Sequence, residues 1–185
     1  MDNALVSVII PSFKASDNLI RAVESIFNQT YSNVEVIVVD DNNPDSPYRE
    51  STKKMIETLK TKGEINYIEH DKNKNGSAAR NTGIRAAKGE YICFLDDDDE
   101  YAPTKIEKSV EMLEAHKEYD AVYSNVYMLM NGKITIEFKA NYSGKCWKEL
   151  LLDEGMLGTG SNIFVRRSVI EEVGFLMRVL LDIKM

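Results

Sequence analysis

The sequence predicts an α/β fold, with a mostly parallel central sheet flanked by helices and a mixed arrangement toward the C-terminus. Over the first 95 of the 185 residues, short apolar runs alternate with amphipathic stretches, and a polar cluster follows each run. This alternation is typical of βαβ units. The runs are rich in Val and Ile and nearly continuous, which indicates strands that are buried on both faces.

Four strands and three helices are predicted in this first part. The strands are placed at residues 5–10, 34–39, 65–70 and 91–95. The first helix begins near Ser16 or Asp17, either of which can cap it, and it extends to Phe27 with apolar residues near 3.6-residue spacing. The second helix is placed at residues 49–59 and the third at residues 78–87, before Gly89.

After residue 95 the pattern becomes mixed. Pro103 is expected to open a helix that extends to about residue 116. Two apolar segments, 121–130 and 134–139, flank Asn131-Gly132, which is a strong signal for a β-hairpin. A helix is then predicted at residues 146–152, followed by a glycine-rich loop at 155–160. A strand at residues 162–165 and a short helix at 168–173 complete the prediction. The length favours one continuous domain.

Composition and charge exclude several functional classes. The chain carries 23 Lys and Arg against 30 Asp and Glu, a net charge of −7, which disfavours binding to nucleic acid. The two cysteines, Cys93 and Cys146, and the two histidines cannot form a Cys/His zinc site, so a bound metal would have oxygen ligands. No apolar run approaches the ~18 residues of a membrane span and no signal peptide is evident, so a cytoplasmic location is expected.

Acidic clusters follow two of the predicted strands. Asp40 and Asp41 come after the second strand, and residues 96–100 form an unbroken acidic run after the fourth. Ligands of open parallel sheets bind beyond the carboxyl ends of the strands, so both clusters are expected at one edge of the sheet. Repulsion within the acidic run is better explained by a bound cation than by solubility. The alternative is a solvated acidic turn.

A basic segment lies between these clusters. Residues 71–88 contain one acidic residue, Asp71, and five basic ones: Lys72, Lys74, Arg80, Arg85 and Lys88. Residues 76–81 begin the third helix, where free backbone N–H groups and an arginine can hold an anion. The alternative is an ordinary exposed helix. A cationic helix start beside a carboxylate-bound metal suits a diphosphate.

Motifs of several other nucleotide- and cation-binding proteins are absent from the sequence. The chain has no G-x-x-x-x-G-K-[ST] phosphate loop. Pro11-Ser12-Phe13-Lys14 stands where a dinucleotide site would need G-x-G-x-x-G, and a nucleotidyltransferase would also need a glycine-rich loop there. Counted from Asp96, Tyr101 occupies the sixth position, where an EF-hand loop needs glycine. A phosphoacceptor receiver domain would be shorter than this chain.

Four segments of the sequence form an ordered set of signatures. They are S-V-I-I-P-S-F at 7–13, V-V-D-D-N at 38–42, A-R-N-T-G at 79–83 with G-E-Y-I at 89–92, and F-L-D-D-D-D at 94–99. Together they resemble family-2 glycosyltransferases over about residues 5–175. The resemblance implies a GT-A fold, with a Rossmann-like nucleotide-sugar-binding half at residues 1–100. The acceptor-side half, at residues 101–185, is expected to be incomplete.

The resemblance also implies substrates and ligand-binding residues. The donor would be a nucleotide-diphosphate sugar, commonly a UDP-sugar, the acceptor a saccharide or a lipid-linked sugar, and the metal Mn²⁺ or Mg²⁺. Pro11 and Phe13 resemble residues that line the base, and Asp41 resembles the carboxylate that accepts a hydrogen bond from uracil N3–H. Arg80 falls where family members contact the nucleotide. Three further residues resemble the loop that lies beneath the donor sugar and the acceptor: Gly160, Ser161 and Asn162.

The aspartate run resembles the D-x-D motif of the same family. Asp98 is expected to bind the metal directly, with Asp99 as a weaker candidate. Asp96 or Asp97 is expected to bind hydroxyl groups of the donor sugar. Because the four aspartates are consecutive, a register shifted by one residue stays open.

The chain departs from the family pattern after Val173-Gly174-Phe175. Family members continue into an acidic pair whose aspartate is the general base for the acceptor hydroxyl, whereas Asp182 is the only carboxylate among residues 176–185. Two interpretations stay open: an inverting, metal-dependent glycosyltransferase with Asp182 as its base, or a nucleotide-sugar-binding fragment with little catalysis. The apolar residues of this tail predict self-association or contact with a membrane or partner surface.

Overall fold

The computed structural model of the chain describes residues 4–130, 132–139, 143–144 and 160–173. Its strands are β1 (Val6–Ser12), β2 (Val34–Asp40), β3 (Ile65–Glu69), β4 (Tyr91–Phe94), β5 (Ala121–Val122), β6 (Val126–Met130), β7 (Lys133–Phe138) and β8 (Phe164–Arg166). Its helices are α1 (Asn18–Phe27), α2 (Pro47–Leu59), α3 (Gly76–Ala86), α4 (Lys105–Ala115) and α5 (Arg167–Val173), and Gly160–Asn162 form a short 3₁₀ turn. The expectations for residues 146–152, for residues 155–159, for Asp182 and for the apolar tail lie outside the described residues.

A six-stranded sheet forms the centre of the fold. Its strand order is β3-β2-β1-β4-β8-β5, in which β1 to β4 are parallel and β8 is antiparallel to both of its neighbours. The predicted α/β fold with a mostly parallel sheet is thereby confirmed. Strands β5 and β8 come from the chain beyond residue 100 and extend this same sheet.

Hydrophobic cores lie on both faces of the sheet. Val8 and Ile10 of β1 pack in one core with Leu19 of α1. Ile9 packs in the other core with Ala79 of α3. Alternate residues of β1 therefore face different cores, which explains why its sequence is a nearly continuous apolar run.

Helix α3 lies in close contact with β1 at Gly83. A Cβ atom on Gly83 would lie 2.3 Å from Cγ2 of Ile9, so only glycine allows this approach. The contact fixes the helix against the sheet. One turn earlier on the helix, Arg80 reaches past the end of β4 and forms an ion pair with Asp96.

The predicted strand at residues 121–130 is wrong in its extent. Strand β5 pairs with β8 in the main sheet, whereas β6 pairs with β7 in a separate antiparallel hairpin. Between β5 and β6, Ser124 donates hydrogen bonds from its backbone N–H (2.8 Å) and its hydroxyl (3.0 Å) to Oδ1 of Asn162. These bonds hold the chain against the 3₁₀ turn, so the strand is interrupted there. The hairpin itself is confirmed, since Met130 pairs with Lys133.

Other element boundaries differ from the prediction by one or two residues. Strand β1 extends to Ser12, and α3 begins at Gly76. Strand β8 begins at Phe164 because Asn162 belongs to the 3₁₀ turn. No helix in the described part of the chain is both long enough and apolar enough to cross a membrane.

Candidate functional site

Three loops meet at the carboxyl edge of the parallel strands. They follow β1, β2 and β4, and hydrogen bonds join them directly. The backbone N–H of Asp41 donates to the carbonyl oxygen of Ser12 (2.8 Å). The backbone N–H of Phe13 donates to Oδ2 of Asp97 (3.3 Å). The expectation that both acidic clusters lie at one edge is therefore confirmed.

The carboxylate of Asp41 is buried and surrounded by residues 70–74. Its Oδ1 accepts a hydrogen bond from the backbone N–H of Lys74 (2.7 Å) and lies 2.7 Å from Nδ1 of His70. Its Oδ2 accepts a hydrogen bond from the side-chain amide of Asn73 (3.0 Å). These donors offset the cost of burying a carboxylate, since buried charges are stable only when they are paired or hydrogen-bonded.

His70 is a site residue that the sequence patterns did not indicate. Its side chain is buried between Asp41 and helix α3, where Nε2 lies 2.8 Å from the hydroxyl oxygen of Thr82. The signal that could have found it was its position, because His70 directly follows the third parallel strand. Residues at that position point toward the ligand edge of an open sheet.

Asp40 has a structural role beneath this edge. It is fully buried, and its Oδ2 lies 3.6 Å from Nε of Arg49, which is also buried. Arg49 in turn lies 3.3 Å from Glu69. Burial, together with a hydrogen bond to Asp40, raises the pKa of Tyr67 far above its usual value, so this hydroxyl stays protonated.

The aspartate run following β4 is held by Arg80 and by the 3₁₀ turn. Asp96 forms the ion pair with Arg80. The hydroxyl of Ser161 accepts a hydrogen bond from the backbone N–H of Asp96 (2.9 Å) and donates one to Oδ2 of Asp99 (2.6 Å). Asp98 is exposed to solvent. Of the two aspartates considered as metal ligands, Asp98 is thus the more accessible.

Asp97 carries a perturbed carboxyl group. Its burial raises the pKa to about 6, although the hydrogen bond from the Phe13 backbone acts in the opposite direction. Burial disfavours the ionised form because it removes water from the charge. Phe13 itself exposes 47% of its surface beside this group, so an aromatic ring is accessible to a ligand.

The two other residues of the 3₁₀ turn have different surroundings. Gly160 lies against the Arg80–Asp96 pair, where a Cβ atom would be 2.8 Å from Nη2 of Arg80. Asn162 is buried, and its Oδ1 accepts the two hydrogen bonds from Ser124. Its carbonyl oxygen accepts a hydrogen bond from Nζ of Lys105 (3.3 Å). In this arrangement Asn162 anchors the turn.

The basic segment is only partly at this edge. Arg80 faces the aspartate run, and the backbone N–H of Lys74 donates a hydrogen bond to Asp41. Lys88 lies at the opposite edge, since its backbone N–H donates to Glu35 (2.6 Å) near the beginning of β2. The cationic helix start predicted from residues 71–88 therefore carries less positive charge at the site than the sequence indicates. The reason is that Lys88 follows the end of helix α3, away from the site.

The described residues contain no cluster of three or more His, Cys, Asp or Glu side chains placed to hold a metal ion. A cation shared with a substrate diphosphate needs fewer protein ligands. Mg²⁺ in such sites is held by about one or two carboxylates, with phosphate oxygens and water completing its shell. The exposed carboxylate of Asp98 suits that kind of site.

Comparison with known proteins identifies the family. The family model "Glycosyl transferase family 2" matches residues 7–174. The chain belongs to this family. The signatures in the sequence and the edge of the sheet where they meet are thus those of a family-2 glycosyltransferase.

Curated relatives of this family-2 chain include bacterial glycosyltransferases. UDP-Glc:alpha-D-GlcNAc-diphosphoundecaprenol beta-1,3-glucosyltransferase WfaP of Escherichia coli is 36% identical over 136 residues, which cover 74% of this chain and 51% of that protein. Glycosyltransferase GlyG of Streptococcus pneumoniae is 33% identical over 153 residues, which cover 82% of this chain and 49% of that protein. The family-2 chain thus spans about half the length of the curated relatives it matches.

Solved structures share the fold of this family-2 chain. TarS 1-349 of S. aureus in complex with UDP-GlcNAc has a TM-score of 0.68 at 21% identity, covering 91% of this chain and 47% of that one. The mannosyltransferase PcManGT of Pyrobaculum calidifontis in complex with GDP-Man and Mn²⁺ has a TM-score of 0.67 at 20% identity, covering 93% and 47%. These neighbours confirm the expected GT-A fold.

Proposed function

We propose that this chain binds a UDP-sugar with a divalent cation and takes part in transferring the sugar to an acceptor hydroxyl. The convergence of the loops after β1, β2 and β4 carries the proposal, because it brings the Asp41 carboxylate, Arg80 and the aspartate run to one edge. Relatives support the donor and the acceptor class. WfaP is named for UDP-Glc and a diphosphoundecaprenol-linked sugar, and TarS was solved with UDP-GlcNAc.

The base would lie against Pro11 and Phe13, beside Asp41. Phe13 offers an exposed ring for contact with a base. Oδ1 of Asp41 contacts two protein groups and Oδ2 accepts one hydrogen bond. A carboxylate has about four acceptor positions, so Oδ2 can accept one more hydrogen bond, from uracil N3–H.

The diphosphate would lie between the aspartate run and the start of α3. Asp98, with Asp99 as the weaker candidate, would hold Mn²⁺ or Mg²⁺, which neutralises diphosphate charge when it is bound. Arg80 would bind a diphosphate oxygen by exchanging part of its pairing with Asp96. PcManGT, solved with GDP-Man and Mn²⁺, supports the use of a divalent cation.

The sugar would lie over Asp96, Asp97 and the 3₁₀ turn. Asp96 and Asp97 would accept hydrogen bonds from its hydroxyl groups, and Gly160 with Ser161 would form the surface beneath it. The acceptor oxygen would form a bond to the anomeric carbon as the bond from that carbon to the diphosphate breaks, with inversion. The hydroxyl proton would pass to a base. Asp182 stays the candidate for that base.

Calorimetric titration tests the donor and the metal. We expect UDP to bind in Mn²⁺ and to bind at least about tenfold more weakly in EDTA, because the ion bridges the protein and the diphosphate. Equal affinity in both buffers would remove the metal from the proposal. Absence of binding in both would remove the donor.

Two matched variants test which aspartate holds the ion. Asp98→Asn and Asp99→Asn each remove one negative charge. We expect the Asp98 variant to lose more Mn²⁺-dependent affinity, since Asp98 is exposed whereas Asp99 already accepts a hydrogen bond from Ser161. A larger loss in the Asp99 variant would shift the assignment by one residue.

Sugar transfer is tested separately from binding. Donor hydrolysis and transfer to a panel of sugar acceptors are measured for the chain and for Asp182→Asn. Binding without transfer would identify the chain as the donor-binding part of the enzyme. Transfer that the Asp182 variant loses would identify Asp182 as the base, since loss of a general base costs ~10²- to 10⁴-fold.

A further inference from the structure

We propose that His70 is a positioning residue that orients the carboxylate of Asp41 for base recognition and ties it to the helix that carries Arg80. This role rests on the proposed function, because Asp41 reads a base only if a nucleotide binds here. Neither the family signatures nor the acidic clusters include His70. The inference comes from the contacts of its buried side chain.

The backbone of His70 is held on both sides. Its N–H donates to the carbonyl oxygen of Asp40 (2.9 Å), and its carbonyl oxygen accepts a hydrogen bond from the buried guanidinium of Arg49 (2.7 Å). The residue is only 6% exposed. The imidazole ring therefore has a defined position relative to the end of β2, from which Asp41 follows.

Both ring nitrogens of His70 have partners. Nδ1 lies 2.7 Å from Oδ1 of Asp41, and Nε2 lies 2.8 Å from the hydroxyl of Thr82. An ionised carboxylate can only accept, so Nδ1 carries a hydrogen and donates it. In the neutral ring Nε2 then accepts from the Thr82 hydroxyl. This assignment gives both ring nitrogens a partner and orients the carboxylate of Asp41.

The contact with Thr82 links two parts of the candidate site. Thr82 lies on α3, two residues after Arg80, which pairs with Asp96. A chain of contacts therefore runs from Asp41 through His70 to the helix that faces the diphosphate position. One buried ring therefore joins the carboxylate of Asp41 to the helix that carries Arg80.

A purely structural role for His70 gives a different expectation from a positioning role. If the ring only fills space, substitutions lower the free energy of unfolding and weaken all nucleotides alike. If the ring orients Asp41, substitutions selectively weaken nucleotides whose base donates to Asp41. UDP has an N3–H in its base, whereas CDP has an N3 acceptor at the same position. The ratio of the two affinities separates the roles.

Two substitutions divide the functions of the ring. In His70→Asn the side-chain amide nitrogen can take the place of Nδ1, so the hydrogen bond to Asp41 is kept and the contact with Thr82 is lost. In His70→Gln the amide can take the place of Nε2, so the contact with Thr82 is kept and the donor to Asp41 is lost. Thr82→Val removes the same contact with Thr82 without changing the ring.

The experiment measures UDP and CDP affinities by calorimetry in Mn²⁺, with urea unfolding of each variant as the stability readout. We expect wild type to prefer UDP. We expect His70→Gln to lower the preference for UDP over CDP about tenfold, because a hydrogen bond to a charged group is lost. We expect His70→Asn and Thr82→Val to keep the preference within about threefold of wild type, since the donor to Asp41 remains.

Four results would overturn the inference. An unchanged preference in His70→Gln would show that the ring does not orient Asp41. An equal loss of UDP and CDP affinity in His70→Gln and His70→Asn, matched by loss of stability, would assign the ring a structural role. If both His70 variants are unfolded, a Thr82→Val variant that loses the preference for UDP, or that binds both nucleotides as tightly as wild type, contradicts the link from Asp41 through His70 to α3. Wild-type protein that does not prefer UDP would instead contradict the proposed donor, and this role with it.

Discussion

Arg80 and Asp96 form an ion pair across the candidate site, and the backbone of Gly160 lies directly against it. A Cβ atom on Gly160 would be 2.8 Å from Nη2 of Arg80 and 3.3 Å from Oδ2 of Asp96. The 3₁₀ turn therefore leaves room for the guanidinium only because a glycine stands at its first position. Substitution of Gly160 is therefore expected to disturb the Arg80–Asp96 ion pair more than it lowers the stability of the fold.

Gly160→Ala is expected to weaken UDP binding more than it affects stability. The added methyl group displaces the end of a flexible side chain, so the free energy of unfolding should change by less than about 1 kcal/mol. Moving the guanidinium should weaken Mn²⁺-dependent UDP affinity by about threefold to tenfold. Calorimetry and urea unfolding measure the two effects.

The control for Gly160→Ala is the same change in an Arg80→Ala background. Without the guanidinium the methyl group has no clash with Arg80, so it should cause little further loss of affinity. An equal loss in both backgrounds would show that the turn acts on binding by another route.

Gly83→Ala is expected to destabilise the fold by about 2 kcal/mol, because overpacking against a buried side chain outweighs the ~1 kcal/mol that alanine adds in a helix. The new Cβ would lie 2.3 Å from Cγ2 of Ile9, a fully buried β-branched residue that cannot move aside. Gly76→Ala in the same helix meets only the end of the Arg80 side chain, at 3.2 Å, and should have little effect. Urea unfolding measures both variants, and similar values for the two would contradict the packing argument.

Asp97 is expected to make the metal-free protein less stable as the pH rises toward 6. Its pKa is raised from 3.8 to about 6 in the folded state by burial. Between these values the folded protein holds a proton that the unfolded chain has released. The stabilising contribution of the neutral carboxyl is therefore complete below about pH 4 and is lost as the pH rises through about 6.

Asp97→Asn tests this pH dependence. Asparagine is neutral at every pH, so the variant should be more stable than wild type by about 1–2 kcal/mol at pH 7.5. The difference should become progressively smaller toward pH 4. The range includes solvent screening, because Asp97 is partly exposed. Urea unfolding in EDTA from pH 4.5 to 7.5 measures the difference, and Asp45→Asn at an exposed loop position serves as the control. Parallel curves for Asp97→Asn and wild type would contradict the prediction.

Asn75→Gly is expected to stabilise the protein. Asn75 precedes α3 with φ 77° and ψ 164°, a conformation that non-glycine residues adopt at a cost of about 1–3 kcal/mol. Its side chain caps the helix by accepting from the N–H of Ala78 (3.1 Å), but replacement of a cap by glycine costs only a few tenths of a kcal/mol. After the larger chain entropy of glycine, we expect a net gain of about 0.5–1 kcal/mol.

Asn75→Ala provides the matched comparison. Alanine loses the cap and keeps the strained backbone, so this variant should lose about 1 kcal/mol. Thermal and urea unfolding rank the three proteins. An alanine variant as stable as the glycine variant would show that backbone strain at this position has little influence on stability.

The local sequence pattern determined the parallel strands and the residues that follow them. β1 to β4 lie within two residues of their predicted positions, because each is a short Val- and Ile-rich run bounded by polar residues. Asp41 and the run 96–99 could be assigned to one edge, since the carboxyl ends of parallel strands coincide. Family membership also followed from these local segments, because each of the four signatures lies within a few neighbouring residues.

Tertiary structure decided which groups each of these polar residues contacts. Asp40 and Asp41 are adjacent in sequence, yet Asp40 is paired with Arg49 beneath the sheet edge whereas Asp41 lies in the loop that contacts Ser12. Lys88 counts toward the basic segment but lies at the opposite edge. His70, which the sequence did not single out, contacts the Asp41 carboxylate.

These differences share a physical cause. A local pattern records the charge and hydropathy of neighbours along the chain, whereas the pairing of a polar group depends on the residues that folding brings within about 3 Å of it. Ser161 is bonded to Asp96 and Asn162 to Ser124 across dozens of intervening residues. The bonds to Asn162 interrupt the strand predicted at residues 121–130, and the bond to Ser161 helps to set the surroundings of the aspartate run. A buried polar group without a hydrogen-bond partner costs free energy, so the chain departs from a regular strand where this provides the partner.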